Sequence, residues 1–111
     1  MKIIFVCSGN TCRSPLAESI AKSLLPNDSI ASRGLFAVEG QAISKESLEL
    51  IHKYGLPEPS LAQTFRIDDL DADIILTMTQ AHKDLIFSMY GRQSNVFTLN
   101  EYVGCLLYTS P

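Results

Sequence analysis

Residues 3–15 have the sequence IIFVCSGNTCRSP, and this stretch decides the fold. The first four residues are apolar without interruption, which predicts a short strand buried in a parallel sheet. Small and polar residues follow from Cys7 to Arg13 and predict a loop. Ser14 is a good N-cap and Pro15 suits the first helical position, so we expect the loop to lead directly into a helix.

The rest of the chain continues this alternation of strand and helix. The predicted strands are Ile3–Val6, Ile30–Phe36, Asp73–Thr77 and Asn95–Leu99. The predicted helices run from Pro15 to a stop at Pro26, from Lys45 to Tyr54 behind a Ser44 cap, within Ala62–Leu70, and from a Thr79 cap to Tyr90. This order predicts an α/β domain with a four-stranded parallel sheet and helices on both faces. Ligands of such sheets bind beyond the carboxyl ends of the strands, where loop 7–13 lies.

Composition excludes several classes of function. The 111 residues suffice for one domain, and a net charge of −3 argues against a nucleic-acid or anionic-membrane binder. The apolar run at residues 3–7 is too short for a signal sequence or a membrane span, so we expect a cytoplasmic protein. Three cysteines are an odd number, which disfavours a disulfide scaffold and favours a chemical role for cysteine.

The loop that follows the first strand combines the groups needed for phosphate chemistry. Backbone N–H groups at a helix N-terminus bind anions, and Gly9 is expected to permit the turn. The Arg13 guanidinium can bind two phosphate oxygens. Together with the loop N–H groups, its positive charge favours the thiolate form of Cys7. Ser14 can donate its hydroxyl to that sulfur. The pattern predicts attack of Cys7 on the phosphorus of a phosphate monoester or phosphoramidate; the alternative is a buried structural cysteine.

Residues 7–15, with Leu16-Ala17-Glu18 after them, resemble the phosphate loop of the low-molecular-weight protein tyrosine phosphatases. The resemblance extends along nearly the whole chain, to about Val103. It implies that Cys7 is the nucleophile and forms a phosphocysteine. It also implies that Arg13 and the loop N–H groups hold the three equatorial oxygens, and that Ser14 stabilises the thiolate.

The same resemblance implies roles for the other residues around the loop. Asn10 braces the loop, and Cys12 traps an oxidised Cys7 as a disulfide unless it serves only loop packing. Phe36 lines the pocket wall, or is a core aromatic at the end of a strand. A phosphorylated protein is the expected partner, and no cofactor, metal, nucleic acid or membrane is implied. The expected substrate-binding residues are Ser8, Gly9, Asn10, Thr11, Cys12 and Phe36.

Thr11 bears on the choice of substrate. Tyrosine phosphatases of this family usually have an aliphatic residue at this place, whereas threonine resembles the bacterial protein arginine phosphatases. A polar guanidinium leaving group suits a hydroxyl, so phosphoarginine is favoured over phosphotyrosine; the alternative is that Thr11 satisfies a loop amide. Arsenate reductases of this fold need a downstream cysteine pair, and Cys105 is the single later cysteine here.

One expected element is missing from the sequence. The family's general acid is an aspartate in an Asp-Pro-aromatic loop, and no aspartate of this chain precedes a proline. Residues 104–111 do not resemble the family's continuation. We expect an incomplete domain over residues 1–103 that lacks the final helix, and a non-native tail over residues 104–111; the alternative is a natural short variant. The predicted consequence is an impaired enzyme or a non-catalytic phosphate-binding fragment. His82 is expected to be solvated.

Overall fold

Four parallel strands form the centre of the structure, a computed structural model that describes residues 1–102. The strands are β1 (Lys2–Cys7), β2 (Ser29–Gly34), β3 (Ile74–Thr77) and β4 (Val96–Thr98), in the spatial order β2-β1-β3-β4. The predicted parallel sheet is therefore confirmed. The expected atypical tail at residues 104–111, which includes Cys105, lies outside the described residues.

Three α-helices connect the strands: α1 (Arg13–Leu24), α2 (Lys45–Lys53) and α3 (Gln80–Tyr90). Ser44 and Thr79 cap α2 and α3 as predicted, since their hydroxyls accept the backbone N–H groups of Ser47 and His82. A 3₁₀ helix covers Ile67–Asp71, and helical backbone begins again at residues 99–102. Within residues 1–102, no helix combines the length and apolar character needed to cross a membrane.

The alternation of side chains along β1 separates two apolar layers, because successive residues of a strand point to opposite faces. Ile4 and Val6 pack in one layer with Ile86 of α3. Ile3 and Phe5 pack in the other layer, to which α1 contributes alanines. Helices therefore cover both faces of the sheet, as the sequence predicted.

The start of α1 differs from the prediction. The helix begins at Arg13, so Ser14 is its second residue and not its N-cap. Cys12 occupies the cap position and its side chain makes no capping hydrogen bond. Pro15 is tolerated at the third position because the first N–H groups of a helix have no partner within the helix. The Ser14 hydroxyl is free to serve the loop instead.

Two other boundaries also differ from the prediction. β2 ends at Gly34, and the short helix predicted within Ala62–Leu70 is the 3₁₀ helix Ile67–Asp71, whereas residues 62–66 are extended. The Gly34 N–H donates to the Gln63 carbonyl, and the Phe65 N–H donates to the Gly34 carbonyl. These two bonds hold residues 62–66 against the end of β2 as a short parallel bridge. The bridge keeps their backbone extended and prevents a helix there.

Candidate active site

The loop between β1 and α1 lies at the carboxyl end of the sheet and is held by backbone hydrogen bonds. The carbonyls of Cys7 and Ser8 accept the N–H groups of Leu35 and Phe36, at 3.0 and 2.9 Å. On the other side, the Thr11 carbonyl accepts the Ser44 N–H at 2.6 Å. The turn after β2 and the start of α2 therefore fix the loop from two directions.

Asn10 braces this loop through hydrogen bonds, the role that the family resemblance of residues 7–15 implied. Its side chain is fully buried, and its Nδ2 donates to the carbonyls of Ser32 at 3.3 Å and Gln63 at 3.5 Å. Asn10 also adopts the left-handed conformation, with φ of 54°, which asparagine tolerates better than most residues. Gly9 was expected to permit the turn and lies in the bend, but its φ is not positive, and the left-handed residue of the loop is Asn10.

The Cys7 sulfur is buried among hydrogen-bonding groups. The Asn10 N–H donates to Cys7 Sγ at 3.2 Å, and Ser14 Oγ lies 2.8 Å from the same sulfur. Ser14 Oγ also lies 2.9 Å from Asn10 Oδ1, to which it donates. A thiol can donate to Ser14 while Ser14 donates to Asn10. For a thiolate, rotation of the Ser14 hydroxyl toward sulfur supplies a second donor without moving heavy atoms.

The remaining predicted residues surround the mouth of the loop. Arg13 and Cys12 are exposed, and Thr11 is half-buried. Cys12 Sγ lies 3.6 Å from the Ser47 hydroxyl, which also donates to the Cys12 carbonyl at 3.1 Å. Phe36 is 65% exposed, so its alternative interpretation as a core aromatic is wrong.

His82 was expected to be solvated, and the structure contradicts this. The residue is only 5% exposed, and its Nε2 lies 2.9 Å from the Ser8 hydroxyl. Its Nδ1 lies 3.0 Å from the Thr79 hydroxyl. Burial lowers the pKa of His82 below its ordinary value of 6.5, and the charge of Arg13 lowers the pKa further. One sequence signal could have placed His82 at the site. It lies three residues after Thr79, the α3 cap, and α3 begins just after β3 ends, at the same edge of the sheet as the phosphate loop.

Gly34 is a second residue that the sequence did not single out. A Cβ atom at this position would lie 2.6 Å from the Ser8 carbonyl oxygen and 2.9 Å from the Asn10 nitrogen. The last residue of β2 therefore has to be glycine for the loop to approach the strand so closely. The available sequence signal was a glycine inside the predicted strand 30–36, since a glycine within a strand often marks a close approach of another backbone.

Residues 2–107 match the sequence profile of the family described as low molecular weight phosphotyrosine protein phosphatase. The chain belongs to this family. A low-molecular-weight protein-tyrosine-phosphatase PtpB from Staphylococcus epidermidis is 95% identical over 104 residues, which cover 94% of this chain and 75% of the relative. The corresponding Staphylococcus aureus protein is 56% identical over 103 residues, which cover 93% and 74%.

Solved structures show the same fold. The crystal structure of a YwlE mutant from Bacillus subtilis has a TM-score of 0.88 and 37% identity, and the match covers 93% of this chain and 74% of that one. The YwlE arginine phosphatase from Geobacillus stearothermophilus has a TM-score of 0.88 and 33% identity, with coverage of 94% and 70%. The chain thus spans about three quarters of the length of these relatives.

Proposed function

We propose that this chain is a cysteine-dependent protein phosphatase that hydrolyses phosphoarginine through a phosphocysteine intermediate. The observation that carries the proposal is the Cys7 sulfur with two hydrogen-bonding partners, Asn10 N–H and Ser14 Oγ, in a loop that opens onto a helix N-terminus. The Cys7 thiolate attacks phosphorus, and the bond from phosphorus to the leaving nitrogen breaks as that nitrogen takes up a proton. Water then cleaves the S–P bond, which releases phosphate and restores the thiolate.

Each proposed role follows from position. Arg13 and the loop N–H groups bind the equatorial oxygens, where negative charge is spread in the transition state. Ser14 stabilises the thiolate by hydrogen bonding. The exposed Phe36 ring forms a wall beside the reacting phosphate. The residues proposed to bind substrate are Ser8, Gly9, Asn10, Thr11, Cys12 and Phe36.

Thr11 supports phosphoarginine as the substrate. Its carbonyl is bound by Ser44, while its hydroxyl has no hydrogen-bond partner among residues 1–102 and is available to a polar leaving group. Two structures at 37% and 33% identity are YwlE arginine phosphatases, and the first is a cysteine-to-serine mutant with a phosphorylated active-site serine.

Phosphotyrosine is the second candidate substrate. The staphylococcal relatives, at up to 95% identity, are named protein-tyrosine-phosphatases. The exposed Phe36 ring also offers an apolar surface for a phenol. The two substrates carry the same phosphate but differ in the leaving group, a guanidinium or a phenol. Rates of phosphate release therefore distinguish them, whereas phosphate binding does not.

We further propose that turnover by the 111-residue chain is slow. No aspartate precedes a proline, and no carboxylate in the described part of the chain hydrogen-bonds to residues 7–14. Positioned general acids contribute ~10²–10⁴-fold to rate. An anion loop without a positioned acid among residues 1–102 also suits a rival role, the capture of phosphorylated protein without its release.

The deciding experiment measures phosphate release from phosphoarginine-bearing and phosphotyrosine-bearing protein, with Cys7→Ser as the control. Faster release from phosphoarginine that disappears in the variant supports the proposal, whereas faster release from phosphotyrosine selects the second candidate. Trapping with acid during a single turnover tests for phosphocysteine. A trapped intermediate with slow release supports impairment; substrate binding without any intermediate supports the rival role.

Cys12 supports a proposal of redox protection. It lies exposed in the same loop as Cys7, and both cysteines are free thiols. Peroxide oxidises the Cys7 thiolate to sulfenic acid, and the Cys12 thiol then displaces water to form a disulfide that a cellular thiol reduces. After peroxide treatment, Cys12→Ser should regain less activity with reductant than the parent chain. Equal recovery would exclude this role. A cytoplasmic location, where such thiols are reduced, stays a prediction.

A further inference from the structure

His82 connects the phosphate loop to the beginning of α3. Its Nε2 bonds to the hydroxyl of Ser8, the residue directly after Cys7, at 2.9 Å. Its Nδ1 bonds to the hydroxyl of Thr79, the α3 cap, at 3.0 Å. Both partners are hydroxyl groups, which donate or accept as required. A neutral imidazole donates to one and accepts from the other, while an imidazolium donates to both.

Few charged groups surround this imidazole. Arg13, at the first position of α1, is the charge that acts on its pKa. Neither β3 (IILT) nor β4 (VFT) carries a titratable side chain. On α3 itself, Lys83 Nζ is paired with Glu101 at 2.9 Å, and Asp84 accepts a hydrogen bond from Gln80 at 2.9 Å. The titratable thiols of the adjoining loop are Cys7 and Cys12.

We propose that His82 is a positioning residue that holds Ser8 in the phosphate loop and takes up a proton from solvent when the loop binds a divalent anion. This inference rests on the proposed function, because it assumes that residues 7–13 bind phosphate. Without a bound anion, burial and the Arg13 charge both disfavour the imidazolium form of His82. A bound dianion compensates Arg13 and favours the imidazolium.

Protonation also changes what Ser8 offers to the anion. In the tautomer whose Nε2 accepts from Ser8, protonation reverses this bond: Nε2–H then donates to Ser8 Oγ, and the Ser8 O–H is free to donate toward the loop. The anion thereby gains a hydrogen bond and a nearby positive charge. Because linkage is reciprocal, an anion that raises the pKa of His82 binds more tightly when the pH falls.

The first test follows the ring nitrogens of both histidines by NMR during a pH titration, with and without sulfate. Sulfate remains a dianion throughout the range in which histidine titrates, and it has no leaving group. His52, which is exposed and is the other histidine of the chain, serves as the internal control. We expect sulfate to raise the pKa of His82 and to leave that of His52 nearly unchanged. Equal shifts of both rings would overturn the proposal.

The second test measures sulfate affinity at constant ionic strength for the parent chain, His82→Gln, Ser8→Ala and His52→Gln. Glutamine keeps a hydrogen-bonding nitrogen near the position of Nε2 but takes up no proton. The parent chain and His52→Gln should bind sulfate about fivefold more tightly at about pH 5.5 than at about pH 7.5. This gain should be largely lost in His82→Gln and reduced in Ser8→Ala. Any contribution from Cys7 remains in all four proteins.

The outcomes separate the two proposals. If sulfate binds but His82→Gln keeps the full pH dependence, the role of His82 is wrong and the phosphate loop stands. If the parent chain binds no sulfate at either pH, the phosphate loop is wrong and the role of His82 is wrong with it. Matching unfolding temperatures for the variants and the parent chain at about pH 7.5 exclude a general loss of folding.

Discussion

Three side chains form a row of hydrogen bonds at the base of the loop. Cys7, Ser14 and Asn10 lie in a row, with 2.8 Å between sulfur and hydroxyl and 2.9 Å between hydroxyl and amide oxygen. Their burial excludes water from competing for these bonds, which strengthens them. The direction of the Ser14 hydroxyl therefore follows the charge of Cys7. In the proposed mechanism, this row of hydrogen bonds makes the buried Cys7 sulfur available as a nucleophile.

The Thr11 hydroxyl is expected to select between the two candidate substrates. Thr11→Val removes the hydroxyl at nearly constant shape, whereas Thr11→Ser removes the methyl group and keeps the hydroxyl. A lost hydrogen bond of about 1 kcal/mol corresponds to about fivefold. We expect the ratio of kcat/KM for phosphoarginine to that for phosphotyrosine to fall about fivefold in Thr11→Val. Thr11→Ser should keep the ratio of the parent chain. A fall of the same size in both variants would show that the hydroxyl does not select the substrate.

At the scale of elements, the end of β2 controls the shape of the loop. Gly34→Ala places a Cβ atom within 2.9 Å of two backbone atoms, Ser8 O and Asn10 N, which cannot move like the end of a flexible side chain. Overpacking of this kind costs about 1–3 kcal/mol. At about 4 °C per kcal/mol, the melting temperature should fall by at least a few degrees.

Gly9→Ala is the matched control for this prediction. The nearest atom to its added Cβ would be Thr11 Oγ1 at 3.6 Å, an ordinary contact, and its φ is not positive. Thermal unfolding of both variants should therefore show a large loss for Gly34→Ala and little loss for Gly9→Ala. Similar melting temperatures for the two would contradict the close approach of the loop to β2.

Strands and helices were predictable from the sequence where nearby residues alone determine them. Uninterrupted apolar runs identified β1 and β3, and hydroxyl caps identified the starts of α2 and α3. The short helix predicted within Ala62–Leu70 begins only at Ile67, because residues 62–66 bond to Gly34, which is distant in sequence. Ser14 was misassigned as a cap because its hydroxyl bonds to Cys7 and Asn10 rather than to the first turn of α1.

The part of the candidate site that lies within one loop was predictable from the sequence. Cys7, Arg13 and Asn10 follow each other within seven residues, so their grouping needs no tertiary information. His82 reaches the same loop from 74 residues away, and only the parallel order of β1 and β3 brings it there. Sequence pattern alone treats a histidine near the start of a helix as solvated.

Over the whole molecule, acid destabilisation should occur in two separate ranges of pH. Glu39 and Glu101 have pKa values lowered from 4.5, chiefly by the Thr64 backbone N–H and by Lys83, respectively. Their contribution to stability is present above 4.5 and is lost as the pH falls through their folded values. His82 acts at higher pH, because burial lowers its pKa from 6.5.

The sign of the His82 contribution follows from proton binding. As the pH falls below 6.5, the unfolded chain takes up a proton at His82 that the native protein, with its lowered pKa, does not bind. The free energy of unfolding therefore falls until the native pKa is reached, and then levels. Urea midpoints of the anion-free protein should decline over this range in the parent chain and in His52→Gln, but much less in His82→Gln. Below 4.5 all three should lose stability together, since Glu39 and Glu101 are unchanged. Parallel curves for His82→Gln and the parent chain between 6.5 and 4.5 would show that His82 takes up its proton as readily in the native protein as in the unfolded chain.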